Sequence, residues 1–333
     1  MKILGIESSC DETSVAIVED GRKVLSNIIA TSLDFHKQYG GIIPEIACRH
    51  HTEIINYVLQ DALKKAGLGL NDIDVIAVTQ GPGLVGALLV GISLAKALSF
   101  SLDKPLVGVN HIQAHLYSSM MSVEELEFPS VGLVVSGGHT NLYYVDSPTD
   151  IKLIGYTRDD ACGEAFDKVA KILELGFPGG PVIEKLASNG DPKKIKFPRS
   201  FLEKGSFDFS FSGIKTAVLY YVRDIKSKGE QVPVNDICAG FQEAVFEMLL
   251  TKAEAACIEK KAKSIFCGGG VIANKTLRNK IDLMAQKLAL KSCFPGVGMS
   301  MDNAAMIAGL AFHLYNKGVT SELSLSPQPR MVV

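Results

Sequence analysis

From residue 75 to residue 95 the chain carries no charge, and Gly81-Pro82-Gly83 cuts this run into a β-branched part and a helix-compatible part. A short buried strand, a tight turn and a long buried helix satisfy that pattern. This is the βα step of an α/β fold. The run approaches the length of a bilayer span, but the interruption favours a core strand and helix, so no membrane span is expected. At the N-terminus only Ile3, Leu4, Gly5 and Ile6 separate Lys2 from Glu7, too short an apolar core for a signal peptide.

The same alternation extends along the chain. Residues 2–8 and 14–19 are apolar runs around the polar turn Ser9-Cys10-Asp11-Glu12-Thr13, which predicts a hairpin with an exposed acidic tip. Residues 23–31 supply a third strand and 44–66 a helix. Strand 73–78, helix 84–101, strand 105–109 and a helix from His111 follow. A similar order recurs in 131–135 and 140–145, around Ser136-Gly137-Gly138-His139. Later come a strand at 264–267, the turn Gly268-Gly269-Gly270 and a helix from Asn274. With 333 residues the chain exceeds one ordinary core. We therefore expect an α/β protein of two halves, residues 1–125 and 126–333, the second with helical insertions and the boundary in the polar segment 122–129. Gly-rich turns facing each other across two such halves would form a nucleotide cleft.

Lys and Arg number 34 against 36 Asp and Glu, so a surface coated in basic charge is excluded and any nucleic-acid contact must be local. One candidate is Lys193, Lys194, Lys196, Arg199 and Lys204, interleaved with Phe197, Phe201 and Phe207; a solvated loop is the competing reading. The 7 Cys contain no CxxC pair, which argues against a disulfide scaffold or Cys-rich zinc module and predicts a reducing, cytoplasmic setting.

His111 and His115 stand one helical turn apart, so two imidazoles share a face and can hold one divalent metal if a third ligand arrives from elsewhere. Asp302 is the candidate, in a position that also reads as a helix N-cap. Ile112 stands where an HExxH zinc peptidase has its general-base Glu, which disfavours that hydrolytic mechanism. Ser136-Gly137-Gly138 and Gly268-Gly269-Gly270 let backbone N–H groups approach an anion. Asp167 and Glu184, near predicted helix starts, are either caps or acceptors for ribose hydroxyls. Asp11 and Glu12 are either solvated turn residues or groups facing a reaction centre. The P-loop lysine pattern is absent.

Ten ordered segments together resemble one family, the tRNA adenosine threonylcarbamoyltransferases, once labelled glycoprotein endopeptidases. They are GIESSCDETSVAIV (5–18), GGIIPEIACRHH (40–51), VTQGPGLVGALLVG (78–91), NHIQAH (110–115), LVVSGGHTNL (133–142), ACGEAFDKVAK (161–171), FPGGP (177–181), FSFSGIKTAV (209–218), GGGVIANKTLR (268–278) and SMDNAAMIA (300–308). His139, with Val134 where other branches carry Tyr, resembles the bacterial branch.

The resemblance implies an actin-like ATPase fold of two RNase-H-like halves around a nucleotide cleft. It implies transfer of a threonylcarbamoyl group from threonylcarbamoyl-adenylate to N6 of adenosine 37, in tRNAs reading codons that begin with A. By motif, His111, His115 and Asp302 become the metal ligands, with iron(II) usual and zinc the alternative. Val134, Val135, Ser136, Gly137, Gly138, Asp167, Gly180, Glu184 and Asn274 line the substrate pocket, which holds an adenine nucleotide or the adenylate. Relatives often carry Asp at position 184. Asp11 and Glu12 are candidates for steering or deprotonating the amine. The implied partners are tRNA, a catalytically silent paralogue and a small P-loop ATPase, with exposed apolar positions in 44–66, Ile55 among them, as the paralogue contact. An ATP-dependent kinase or ATPase is the main rival reading, and it gives the His pair no role.

Overall fold

The computed structural model of the protein describes residues 1–37, 39–200, 203 and 205–331. Phe201 and Lys204 of the basic segment lie outside them. Strands β1 (Lys2–Glu7), β2 (Glu12–Glu19) and β3 (Lys23–Thr31) form an antiparallel meander. Helices α1 (Leu33–Lys37) and α2 (Pro44–Ala66) lead to β4 (Val75–Gly81), α3 (Val85–Leu102), β5 (Leu106–Asn110) and α4 (His111–Met120). β4 lies parallel to β1, and β5 parallel to β4, so the sheet order is β3-β2-β1-β4-β5.

The second sheet repeats this plan. β6 (Ser130–Val135), β7 (Thr140–Ser147) and β8 (Asp150–Tyr156) lie side by side. Helices α5 (Cys162–Ile172), α6 (Gly179–Ala187), α7 (Ser212–Ser227) and α8 (Val234–Glu259) precede β9 (Ser264–Gly268), which pairs parallel with β6. α9 (Lys275–Lys287), β10 (Lys291–Cys293) and α10 (Ala304–Asn316) follow. The order β8-β7-β6-β9-β10 mirrors that of the first sheet. Each sheet is thus three consecutive strands plus two that return through helices to the other side of the first strand.

The chain divides into two compact units, one of Met1–Leu126, Asp146–Ile151 and Phe294–Val333, the other of Glu127–Val145 and Lys152–Cys293. A single division at residue 125/126 gave residues 294–333 to the second half. In the structure α10 packs on β1, β2 and α4, all in the first. Gly5 permits that packing: a Cβ there would come within 2.4 Å of the Ala304 carbonyl oxygen. Alternation along β1 then sends Leu4 and Ile6 into the core on the opposite face. There they meet Ile55, Val58 and Leu59 of α2 and Leu88, Ile92 and Ala95 of α3.

α3 is long and apolar enough by composition to cross a bilayer, with Val85–Leu102 carrying a mean hydropathy of 1.8. Its inner residues Ala87, Leu88, Ile92, Ala95 and Leu98 are buried, as a core helix on β4 requires. In the second unit Gly269, at φ +90°, closes β9 where a Cβ would lie 2.4 Å from the Val135 carbonyl oxygen.

Candidate metal centre and substrate-contact residues

β5 ends at Asn110, whose side chain accepts from the N–H groups of Ile112 and Gln113 at 2.9 and 3.0 Å and so starts α4 at His111. This cap sets the His111 and His115 rings on one face, their centroids 4.6 Å apart. The third residue arrives from the far end of the chain. Asp302 was expected to cap a helix; the cap of α10 is instead Asn303, whose side chain accepts from the Met306 N–H at 3.1 Å. Asp302, one residue earlier, turns its Oδ1 to within 3.0 Å of His115 Nε2 and 3.7 Å of His111 Nε2. The ligand atoms of the three residues lie within 4.8 Å of one another.

His115 is fully buried, and neither of its ring nitrogens has a hydrogen-bond partner. The short distance to Asp302 therefore lacks hydrogen-bond geometry. A buried, unpaired polar nitrogen is costly unless a ligand satisfies it. Two imidazoles and a carboxylate converging on one point are the donor set that holds zinc(II) or iron(II) with further positions open. The residues fit a divalent metal.

Sequence reasoning missed the support behind this centre. Glu7, closing β1, is completely buried, and its Oε2 lies 2.8 Å from His111 Nδ1. Burial opposes the ionised Glu7 carboxylate, but His111 and the Thr79 hydroxyl outweigh it and lower its pKa. Burial likewise opposes a charged His111, and Glu7 and Asp302 overcome it, raising that ring to about 9 in the metal-free protein. The only signal in sequence was a carboxylate closing the apolar run Ile3-Leu4-Gly5-Ile6.

Asp11 and Glu12 were expected on an exposed tip, yet each is only 8% exposed. His51 holds the turn from within: its Nε2–H donates to the Cys10 carbonyl at 3.0 Å, and its Nδ1 accepts from the Thr13 hydroxyl at 2.6 Å. Ser32 holds the other side, its N–H and Oγ–H both donating to the Asp11 carbonyl. Burial, then the nearby Asp302 and Asp11 carboxylates, push the Glu12 pKa up to about 10.

In the second unit Val134 and Val135 are buried strand residues, while Gly137 and Gly138 are exposed. A Cβ on either glycine would touch nothing within 4 Å, so the Ser136–Gly138 backbone is open to approach. The turn is pinned by Gly163 N–H and Glu164 N–H, which donate to the Ser136 and Gly137 carbonyls at 3.1 Å. Gly180, on the first turn of α6, is equally open. Asp167 lies in the middle of α5 rather than at its start, and its Oδ1 accepts from the Gly179 N–H at 2.7 Å. Glu184 accepts from the Lys275 N–H at 2.8 Å. Asn274 caps α9 through the Leu277 N–H and donates to Gln242 Oε1 at 2.9 Å. Both carboxylates thus act as helix caps on the second unit's own elements.

Among the described residues of the basic segment, Phe197 is buried against Tyr221, Phe207 is half-buried, Lys194 pairs with Asp236 at 2.5 Å, and Arg199 with Glu247 at 2.8 Å. Ile55, expected on the surface, is 4% exposed and belongs to the first unit's core.

The repeated three-plus-two sheet is that of the actin-like ATPase fold, here carrying a two-histidine, one-carboxylate centre. HypF in its phosphate- and nucleotide-bound form shares the fold at a TM-score of 0.62 and 14% identity, over 94% of this chain and 55% of that one. The (R)-2-hydroxyglutaryl-CoA dehydratase component A of Acidaminococcus fermentans matches at 0.56 and 15% identity, over 95% and 98%. Closer in sequence is the tRNA N6-adenosine threonylcarbamoyltransferase of Moorella thermoacetica, 50% identical over 98% of this chain and 96% of its own. The one from Thermosipho africanus is 49% identical over the whole of both chains. The family profile of tRNA N6-adenosine threonylcarbamoyltransferase matches residues 23–309. The chain belongs to that family, and with it to the transferases.

Proposed function

We propose that the protein transfers a threonylcarbamoyl group from threonylcarbamoyl-adenylate to N6 of adenosine 37, in tRNAs reading codons that begin with A. The observation that carries the reading is the convergence of His111, His115 and Asp302, with the buried His115 ring making no hydrogen bond through either nitrogen. These three residues would hold one divalent metal, iron(II) by the family's habit or zinc(II). Bound there, a divalent ion supplies Lewis-acid polarisation of the carbamoyl oxygen or adenylate phosphate.

The chain's own residues do the rest. The amine nitrogen attacks the carbamoyl carbon, AMP leaves, and a proton departs from N6. Asp11 and Glu12 are the groups that steer the amine or take that proton; Glu12, kept protonated by burial and its acidic neighbours, acts as a base only where a cation beside Asp302 offsets that repulsion. The Ser136, Gly137 and Gly138 amides bind the developing oxyanion or the phosphate. Val134, Val135, Gly180 and Asn274 shape the nucleotide pocket, and Asp167 and Glu184 accept from ribose hydroxyls with the lone pairs their caps leave unused. The two units correspond in this reading to the RNase-H-like halves of the family.

A separate enzyme supplies the adenylate, and the protein works in the cytoplasm with a catalytically silent paralogue and a small P-loop ATPase. Since Ile55 is buried, the paralogue contact on α2 moves to Tyr57, which is 69% exposed. Tyr57→Glu should abolish co-elution with the paralogue while leaving the protein folded, whereas Ile55→Glu should unfold it.

The deciding assay is incorporation of labelled threonine into tRNA by the protein with its partners and the adenylate-forming enzyme. Incorporation that collapses in His111→Ala supports the reading. No incorporation by folded, metal-loaded protein, with steady phosphate release in its place, would favour the ATPase.

A further inference from the structure

We infer that Glu7 is a positioning residue that fixes which nitrogen of His111 faces the metal site, with Thr79 and the Ser9 backbone holding the carboxylate in place. The inference rests on the metal-site reading above. Glu7 Oε1 accepts from the Ser9 N–H at 2.6 Å, and Oε2 accepts from the Thr79 hydroxyl at 2.6 Å. That same Oε2 stands 2.8 Å from His111 Nδ1, closer than the Ser9 hydroxyl at 3.4 Å. A carboxylate offers only acceptors, so Nδ1 carries a hydrogen whether the ring is neutral or protonated, and when the ring is neutral, as a metal ligand must be, it is Nε2 that keeps the lone pair. That lone pair lies on the side of Asp302, 3.7 Å from its Oδ1.

A carboxylate behind a metal-binding imidazole sets ring orientation and raises ligand basicity. The two histidines are unequal in this respect, because His115 Nδ1 has no partner. His111 is the ligand whose tautomer is imposed in advance. Glu7 also reaches three separate parts of the first unit, since Ser9 leads into the acidic turn, Thr79 lies on β4 and His111 opens α4. All three neighbours are donors. An amide at position 7 must therefore aim its NH₂ at one of them and lose that bond.

The test is titration of the metal-free protein with zinc(II) against a chromophoric chelator, and with cobalt(II) followed by its visible d–d absorption. Glu7→Gln should keep a cooperative urea transition, weaken both metals by about ten- to a hundredfold, and shift the cobalt(II) bands. Wild-type affinity and an unchanged spectrum in a folded Glu7→Gln protein would overturn the inference. If that variant does not fold, Thr79→Val removes a donor that orients the carboxylate while Thr79→Ser retains it. The valine protein should bind cobalt(II) more weakly and with shifted bands, and the serine protein should recover the wild-type values. Identical behaviour of both would overturn the inference by itself. A wild-type protein that binds neither ion would instead remove the metal-site reading beneath it.

Discussion

His115 Nε2 and Asp302 Oδ1 lie 3.0 Å apart, yet the histidine forms no hydrogen bond through either nitrogen. Two donor atoms at that separation and without a hydrogen between them have the relation of two ligands to a common ion. Asp302 can take this position because Asn303 assumes the capping of α10.

Asp302→Asn keeps shape and removes the anionic ligand. Metal content should fall, and with it threonylcarbamoyl transfer. A Lewis acid worth several kcal/mol at the transition state implies a loss of more than about 100-fold in turnover. Metal analysis beside the transfer assay checks this; full activity in a metal-free Asp302→Asn protein would sink it.

Glu12 is tested separately from the metal. Glu12→Ala should lower turnover by about 10²- to 10⁴-fold, the range of a lost proton-transfer group, while metal content stays at the wild-type level. Unchanged turnover would remove Glu12 from the mechanism and leave Asp11 as the acid of interest.

His51 gives a pH dependence. Burial lowers its pKa below the ordinary 6.5, so the folded chain binds a proton less readily there than the unfolded chain does. Below about pH 6.5 the unfolded state carries the extra proton, and stability falls as pH falls until the folded ring also titrates. Replacing His51 with Gln should therefore flatten the difference in urea stability between pH 7.5 and 5.5 relative to wild type. A wild-type slope in the variant would show that His51 does not contribute.

Glu184 carries a structural bond as well as its proposed ribose contact. Glu184→Ala should cost about 1 kcal/mol, since the Lys275 N–H loses its acceptor at the start of α9. Thermal unfolding measures that part. A raised KM for the adenylate, beyond any stability effect, measures the binding part; an unaltered KM confines Glu184 to capping.

Much of this was legible in the sequence where local rules decide. The cut at Gly81-Pro82-Gly83, the α2 span and the paired histidines follow from periodicity and turn chemistry, and the ten segments carried the family. What failed depended on partners distant in sequence. Nothing local says that Glu7 meets His111, or that His51 closes the acidic turn, because a buried polar residue in an apolar run looks like a single interruption. Ile55 was misplaced because helical spacing identifies a face without saying what covers it. The Asn303 cap shows the finest limit: Asp and Asn cap a helix about equally well, so residue type alone does not say which of two neighbours starts it.

The two histidines are synthesised well before Asp302 and α10. A chain halted anywhere before residue 302 has an incomplete ligand set, and β1 lacks the helix that closes over Gly5. A metal held by all three ligands would therefore fasten α4 to the segment that leads into α10, two parts of the first unit that lie far apart along the chain.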